Sequence, residues 1–199
     1  MRRTLVIWVV CIAAAVSWGL FEVVRLRGPQ PLRAMEGMPP LAEGREFDPH
    51  SVLTRRQAAQ QAPGIGLRGR HGLMRLGDQR GRVVLIAFWA TWCAPCHMSI
   101  PMFQRLYEAQ RANGFEVMGV ALENADLGHI EAFARQMGMT YPIGFAESAE
   151  QVKGYPTEGL PTMVLVDRGG RVRLVVSGYD PALQEQLPLM VEALLAEQG

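Results

Sequence analysis

Neither sign of charge dominates this sequence: twenty basic residues meet nineteen acidic ones, a formal net charge of +1. That balance excludes a protein that holds nucleic acid mainly by neutralising phosphates, which needs a surplus of lysine and arginine. Internal repeats and low-complexity tracts are absent, and with 49% hydrophobic residues the chain is not disordered throughout. Cysteine is scarce, at three residues in 199. Cys11 lies inside an apolar run and reads as a small apolar side chain. That leaves Cys93 and Cys96, with no second cysteine-rich cluster to complete a metal site.

Charge is missing altogether between Thr4 and Phe21, a stretch long enough to cross the ~30 Å hydrocarbon core as a helix. Arg2 and Arg3 precede it, the positive flank of a cytoplasmic side, although Arg25 and Arg27 weaken the asymmetry. Ala13 to Ala15 fall in mid-run with Val16, Trp18, Leu20 and Phe21 still to come, so residues 1–24 read as a retained signal anchor in preference to a cleaved signal peptide. Both readings export the rest of the chain. Residues 25–61 are rich in proline, glycine and charge without apolar periodicity and read as a spacer. From Ala62 to Gly199 the punctuation is regular, and the length suffices for one core.

Within that domain, Val83–Trp89 (VVLIAFW) has the unbroken apolar run of a strand buried on both faces. Ile100, Phe103, Leu106 and Tyr107 then form a helical stripe that stops near Asn113–Gly114. Phe115–Leu122 reads as a second buried strand. Ile130, Phe133, Ala134 and Met137 mark a helix closed by Gly138. Thr162–Val166 and Val172–Val176 are strands joined by the tight-turn residues DRGG. A last helix starts at Asp180, with Pro181 at its first position, and runs to about Ala196, kinked or restarting at Pro188. Alternating strands and helices ending in a hairpin and a helix imply an α/β fold with a central mixed sheet covered on both faces.

The stretch WATWCAPCHMSIP carries the chemistry. CAPCH has the letters of c-type haem attachment and those of a redox dithiol. Its position between a buried strand and a helix favours the dithiol: Cys93 falls at the leading edge of the helix, where unpaired N–H groups and the helix dipole favour a thiolate. Cys96 is close enough to resolve a mixed disulfide. Pro95 stiffens the loop, and Pro101 sits deeper in the same helix. His97 reads as a solvent-facing residue. Cys93, Cys96, His97 and Met98 also offer soft ligands for copper, the competing metallochaperone reading, but adjacent residues diverge on a helix.

RGRVVLIAFWATWCAPCHMSIP, GFEVMGVALEN and GLPTMVLVDRGGRV, in that order, resemble the TlpA-like family of membrane-anchored, extracytoplasmic thiol-disulfide oxidoreductases of the thioredoxin superfamily, which includes the ResA and DsbE types. The resemblance spans about Ala62 to Ala196. It implies a thioredoxin-like fold behind an N-terminal transmembrane helix, on the outer face of a bacterial inner membrane. Cys93 then attacks and Cys96 resolves; Trp92, Ala94 and Pro95 shape the surface beside them. Leu160, Pro161 and Thr162 form the substrate-side loop, with Pro161 matching the family's cis-proline, where the residues alone also permit a trans bond. It further implies a disulfide reductase acting on exported proteins, for example apocytochrome c thiols, re-reduced by a membrane thiol donor and needing no cofactor beyond the Cys93–Cys96 pair.

Two positions depart from the family pattern. Ala87 stands where many thioredoxins bury an aspartate, and Ser99 where many TlpA-like members carry a glutamate; neither does carboxylate proton chemistry. Glu123 and Glu158 are the candidate replacements in a proton relay to Cys96, each with the plainer reading of an exposed carboxylate.

Overall fold

A computed structural model of the protein describes residues 60–197. The expected anchor and all but the last two residues of the expected spacer lie outside them. Among the described residues no helix is long and apolar enough to cross a membrane.

A seven-stranded mixed sheet forms the centre, in the order β2-β1-β5-β4-β3-β6-β7. Its strands are β1 (Gly66–Gly69), β2 (Gly72–Arg75), β3 (Val83–Trp89), β4 (Phe115–Ala121), β5 (Ile143–Ala146), β6 (Thr162–Val166) and β7 (Val172–Ser177). β3 pairs in parallel with β4 and antiparallel with β6, and β4 pairs in parallel with β5. The helices are α1 (Ala94–Gln110), α2 (Leu127–Gln136), the single turn α3 (Ala149–Val152) and α4 (Leu183–Ala196).

Every residue of β3 and β4 is buried, as their unbroken apolar runs require. Alternate side chains feed opposite cores. Val83, Leu85, Ala87 and Trp89 join Ile100 and Phe103 of α1, Ile130 of α2 and Leu187 and Met190 of α4. Val84, Ile86 and Phe88 face the other way, onto Ile65, Leu67, Leu76 and Tyr155 from the segments around β1, β2 and α3. Each fully buried Leu, Ile or Phe contributes about 1.5–3 kcal/mol. The two clusters clamp β3, so the position of its last residue is set by the whole core.

The sequence-based boundaries differ from the structure in a few places. Helix α4 begins at Leu183, because Asp180 first closes a turn by accepting from the Ala182 N–H at 2.9 Å. Pro188 lies inside that helix. Gly138 takes φ +69°, a conformation open to glycine, and ends α2 as its position suggested. The domain takes hold slightly before Ala62: Gln61 bridges Arg171, and the Val172 N–H donates to the Gln60 carbonyl at 3.0 Å. These contacts lie beside the β6–β7 turn.

Candidate active site

Strand β3 ends at Trp89, and three residues turn the chain into α1. The Cys93 N–H donates to the Ala90 carbonyl at 3.1 Å. Cys93 is the N-cap of α1, and its Sγ accepts from the Cys96 N–H at 3.2 Å. Pro95 occupies the first turn, where a missing N–H costs nothing. The Cys93 sulfur therefore sits where the helix dipole and free N–H groups stabilise negative charge. Cys96 lies one turn on, 5.3 Å away between Cα atoms, and the two sulfurs are joined as a disulfide.

Cys93 is 3% exposed and Cys96 1%, but only Cys93 reaches a surface groove of about 600 Å³ lined by Trp92, Cys93, Ala94, Pro95, Leu122, Thr157, Glu158 and Leu160. Cys93 thus borders the groove and Cys96 lies behind it. Trp92 is 69% exposed and forms an apolar lip. Glu158, itself exposed, supplies the one ionisable carboxylate of the lining. Leu122 and Thr157 were not singled out in the sequence; only their loops' proximity in three dimensions brings them here.

The Leu160–Pro161 peptide bond is cis, and Leu160 lines the groove. Thr162 does not: it is fully buried at the start of β6. Its hydroxyl reaches the Gly159 carbonyl at 2.7 Å and the Pro156 carbonyl at 3.2 Å, and it shares a 3.1 Å bond with the Ser177 hydroxyl. Thr162 braces the loop from inside, so its expected place on the substrate side is corrected.

The two carboxylates proposed for a proton relay separate. Glu158 stands at the groove, whereas Glu123 is absent from its lining. The Glu123 side chain is 8% exposed, so the exposed-carboxylate alternative fails for it. It accepts from both the Thr91 N–H and the Thr91 hydroxyl at 2.8 Å. His97 is not solvent-facing either: its Nε2 bonds the Thr91 carbonyl at 2.8 Å, and its ring packs 5.1 Å from that of Phe133. Ala87 is buried in β3, and the buried Ser99 hydroxyl has no hydrogen-bond partner. His97 Nε2 is therefore turned toward the loop. Among the described residues no three His, Cys, Asp or Glu side chains gather to hold a metal ion.

Residues 58–175 match the model of the AhpC/TSA family. The thiol-disulfide oxidoreductase ResA of Geobacillus thermodenitrificans is 35% identical over 104 residues, 52% of this chain and 59% of that protein. The chain thus spans about three-fifths of the length of the ResA relatives it matches. Among solved structures, a Chlorobium tepidum protein described as a thiol:disulfide interchange protein DsbE superposes with a TM-score of 0.64 at 34% identity, covering 69% of this chain and 97% of that one. StoA from Bacillus subtilis superposes with a TM-score of 0.55 at 24% identity over 66% of this chain and 98% of its own, a likeness of fold.

Proposed function

Because the chain belongs to the AhpC/TSA family, with ResA- and DsbE-type relatives and a thioredoxin-like fold, we propose that it is a thiol-disulfide oxidoreductase that reduces disulfides of exported proteins. The observation that carries this reading is Cys93, capping the N-terminus of α1 and lining the groove, with Cys96 one turn behind it. In the reduced protein the Cys93 thiolate attacks one sulfur of a substrate disulfide, forming a mixed disulfide and releasing one substrate thiolate. Cys96, deprotonated, then attacks the Cys93 sulfur and releases the second. Two electrons pass to the substrate, its two thiolates take up the Cys96 proton and one from solvent, and the Cys93–Cys96 disulfide remains. A thiol donor must reduce it again, in keeping with an oxidising compartment.

Trp92, Ala94, Pro95 and Leu160 line the path of the incoming peptide, with Pro161 setting the turn behind Leu160. The electron carrier is the cysteine pair itself, with no dissociable cofactor. From the resemblance to the TlpA-like family, we further propose apocytochrome c thiols as the substrate class, a membrane thiol protein as donor and an N-terminal helix anchoring the domain outside the inner membrane.

Cys96→Ser, expressed in full-length form, tests the reading. Mixed disulfides through Cys93 should accumulate and be released by a small thiol, and a variant that trapped nothing would refute it. A reduction potential below about −200 mV supports the reductase direction. Copper titration of the reduced protein separates the metallochaperone alternative, which requires tight one-to-one binding that depends on His97.

A further inference from the structure

Thr91, two residues before Cys93, is held entirely by side chains from other elements. Its N–H and hydroxyl both donate to Glu123, at the end of β4. Its hydroxyl has a single hydrogen, so the contact with His129 Nε2 of α2 at 3.3 Å must be donated by the histidine. Its carbonyl can only accept, so His97 Nε2 of α1 donates at 2.8 Å. Three elements therefore converge on one loop residue, and Glu123 supplies the two charge-assisted bonds. Without it the Thr91 N–H would be left in a part-buried turn with no acceptor.

We propose that Glu123 is a positioning residue for the dithiol: by gripping Thr91 it fixes the turn that presents the Cys93 sulfur to the N-terminus of α1. The proposal rests on the oxidoreductase reading and replaces a proton-relay role for this carboxylate. Its sign is distinctive. A carboxylate acting as a nearby negative charge disfavours the Cys93 thiolate, so its removal would make Cys93 reactive at lower pH. A carboxylate acting as a brace favours the thiolate by holding it at the helix end, so its removal moves reactivity to higher pH. The titratable groups around the turn are Glu123, His97 and His129, with Glu158 across the groove; substitutions confined to Glu123 and Thr91 leave the last three in place.

The test follows alkylation of Cys93 against pH in the reduced full-length chain, read on the Cys93 peptide by mass spectrometry. Glu123→Ala should move the midpoint up by about half to one pH unit. Glu123→Gln, which keeps an acceptor but no charge, should move it up by less, and Thr91→Val, which loses one of the two bonds, likewise. Thr91→Ser should behave as wild type, and Glu123→Ala combined with Thr91→Val should match Glu123→Ala alone. A downward shift in Glu123→Gln overturns the proposal in favour of a charge effect. An unmoved midpoint in folded Glu123→Ala overturns it in favour of a purely structural contact. Should Glu123→Ala fail to fold, Glu123→Gln and Thr91→Val decide by the same signs. An ordinary thiol titration in the wild type would instead sink the oxidoreductase reading and leave Glu123 nothing to position.

Discussion

Replacing Thr162 with valine keeps the shape of the side chain and deletes one hydroxyl from a fully buried position. The lost interactions are a strong bond to the Gly159 carbonyl at 2.7 Å, its weaker branch to the Pro156 carbonyl at 3.2 Å, and the bond shared with Ser177 at 3.1 Å. Each net hydrogen bond contributes about 0.5–1.5 kcal/mol. Two circumstances hold the loss near the lower end. Pro156 and Gly159 are exposed, so their carbonyls can take water instead, and the Ser177 hydroxyl retains the Pro156 carbonyl at 3.4 Å. The expected cost is about 1–2 kcal/mol, a fall in melting temperature of roughly 3–8 °C. Because the loop carries Thr157, Glu158 and Leu160 of the groove wall, KM for a protein disulfide should rise more than kcat falls, with the pH profile of Cys93 unmoved. Thermal unfolding and steady-state reduction kinetics measure both. Lost exchange at undiminished stability would refute the reasoning, because it would mean that the hydroxyl meets the substrate after all.

The Ser99 hydroxyl is buried without a partner, so Ser99→Ala should be neutral or stabilising by up to about 1 kcal/mol and leave exchange rates intact; a slower Cys96 step would show that the hydroxyl moves protons. Trp92→Ala, at an exposed site, should change stability by less than about 0.5 kcal/mol. It should slow reaction with a protein disulfide roughly tenfold through the lost aromatic contact while sparing a small-molecule disulfide; equal losses for both would place the effect on Cys93 itself. Burial pushes the Tyr141 and Tyr155 phenols above their ordinary range. Their contribution to stability is therefore whole below about pH 10, where unfolded tyrosines ionise, and is lost as pH climbs past it. Absorbance titration should show two of the four tyrosines ionising only on alkaline unfolding, and free ionisation of all four in the folded protein would contradict this.

Strands β3 and β6 and the first turn of α1 were legible because each is written in local chemistry: an unbroken apolar run, a β-branched segment before a turn, and a cysteine pair with proline between. Strands β1 and β5 were not. They are four residues each and lie where the backbones press together: a Cβ on Gly69 would meet the Ile143 carbonyl oxygen at 2.3 Å. The crossing selects glycine, which a strand pattern scores against. In the site, the cysteines and the groove-lining Trp92 and Leu160 follow from sequence neighbours. The grip on Thr91 does not, since Glu123, His97 and His129 stand 32, 6 and 38 residues away from it. A carboxylate's burial is a property of the assembled fold, and so is the inward turn of Thr162. Neither leaves a mark in spacing.

Gln60 and Gln61 join the sheet beside the β6–β7 turn, next to the end of β3 where Val84 pairs with Val166. The reacting sulfurs follow the other end of the same strand. Seven residues of β3 at about 3.3 Å each put roughly 20 Å between the two poles. The described chain therefore enters the sheet at one pole and carries the dithiol at the other, with the buried length of β3 keeping the two apart.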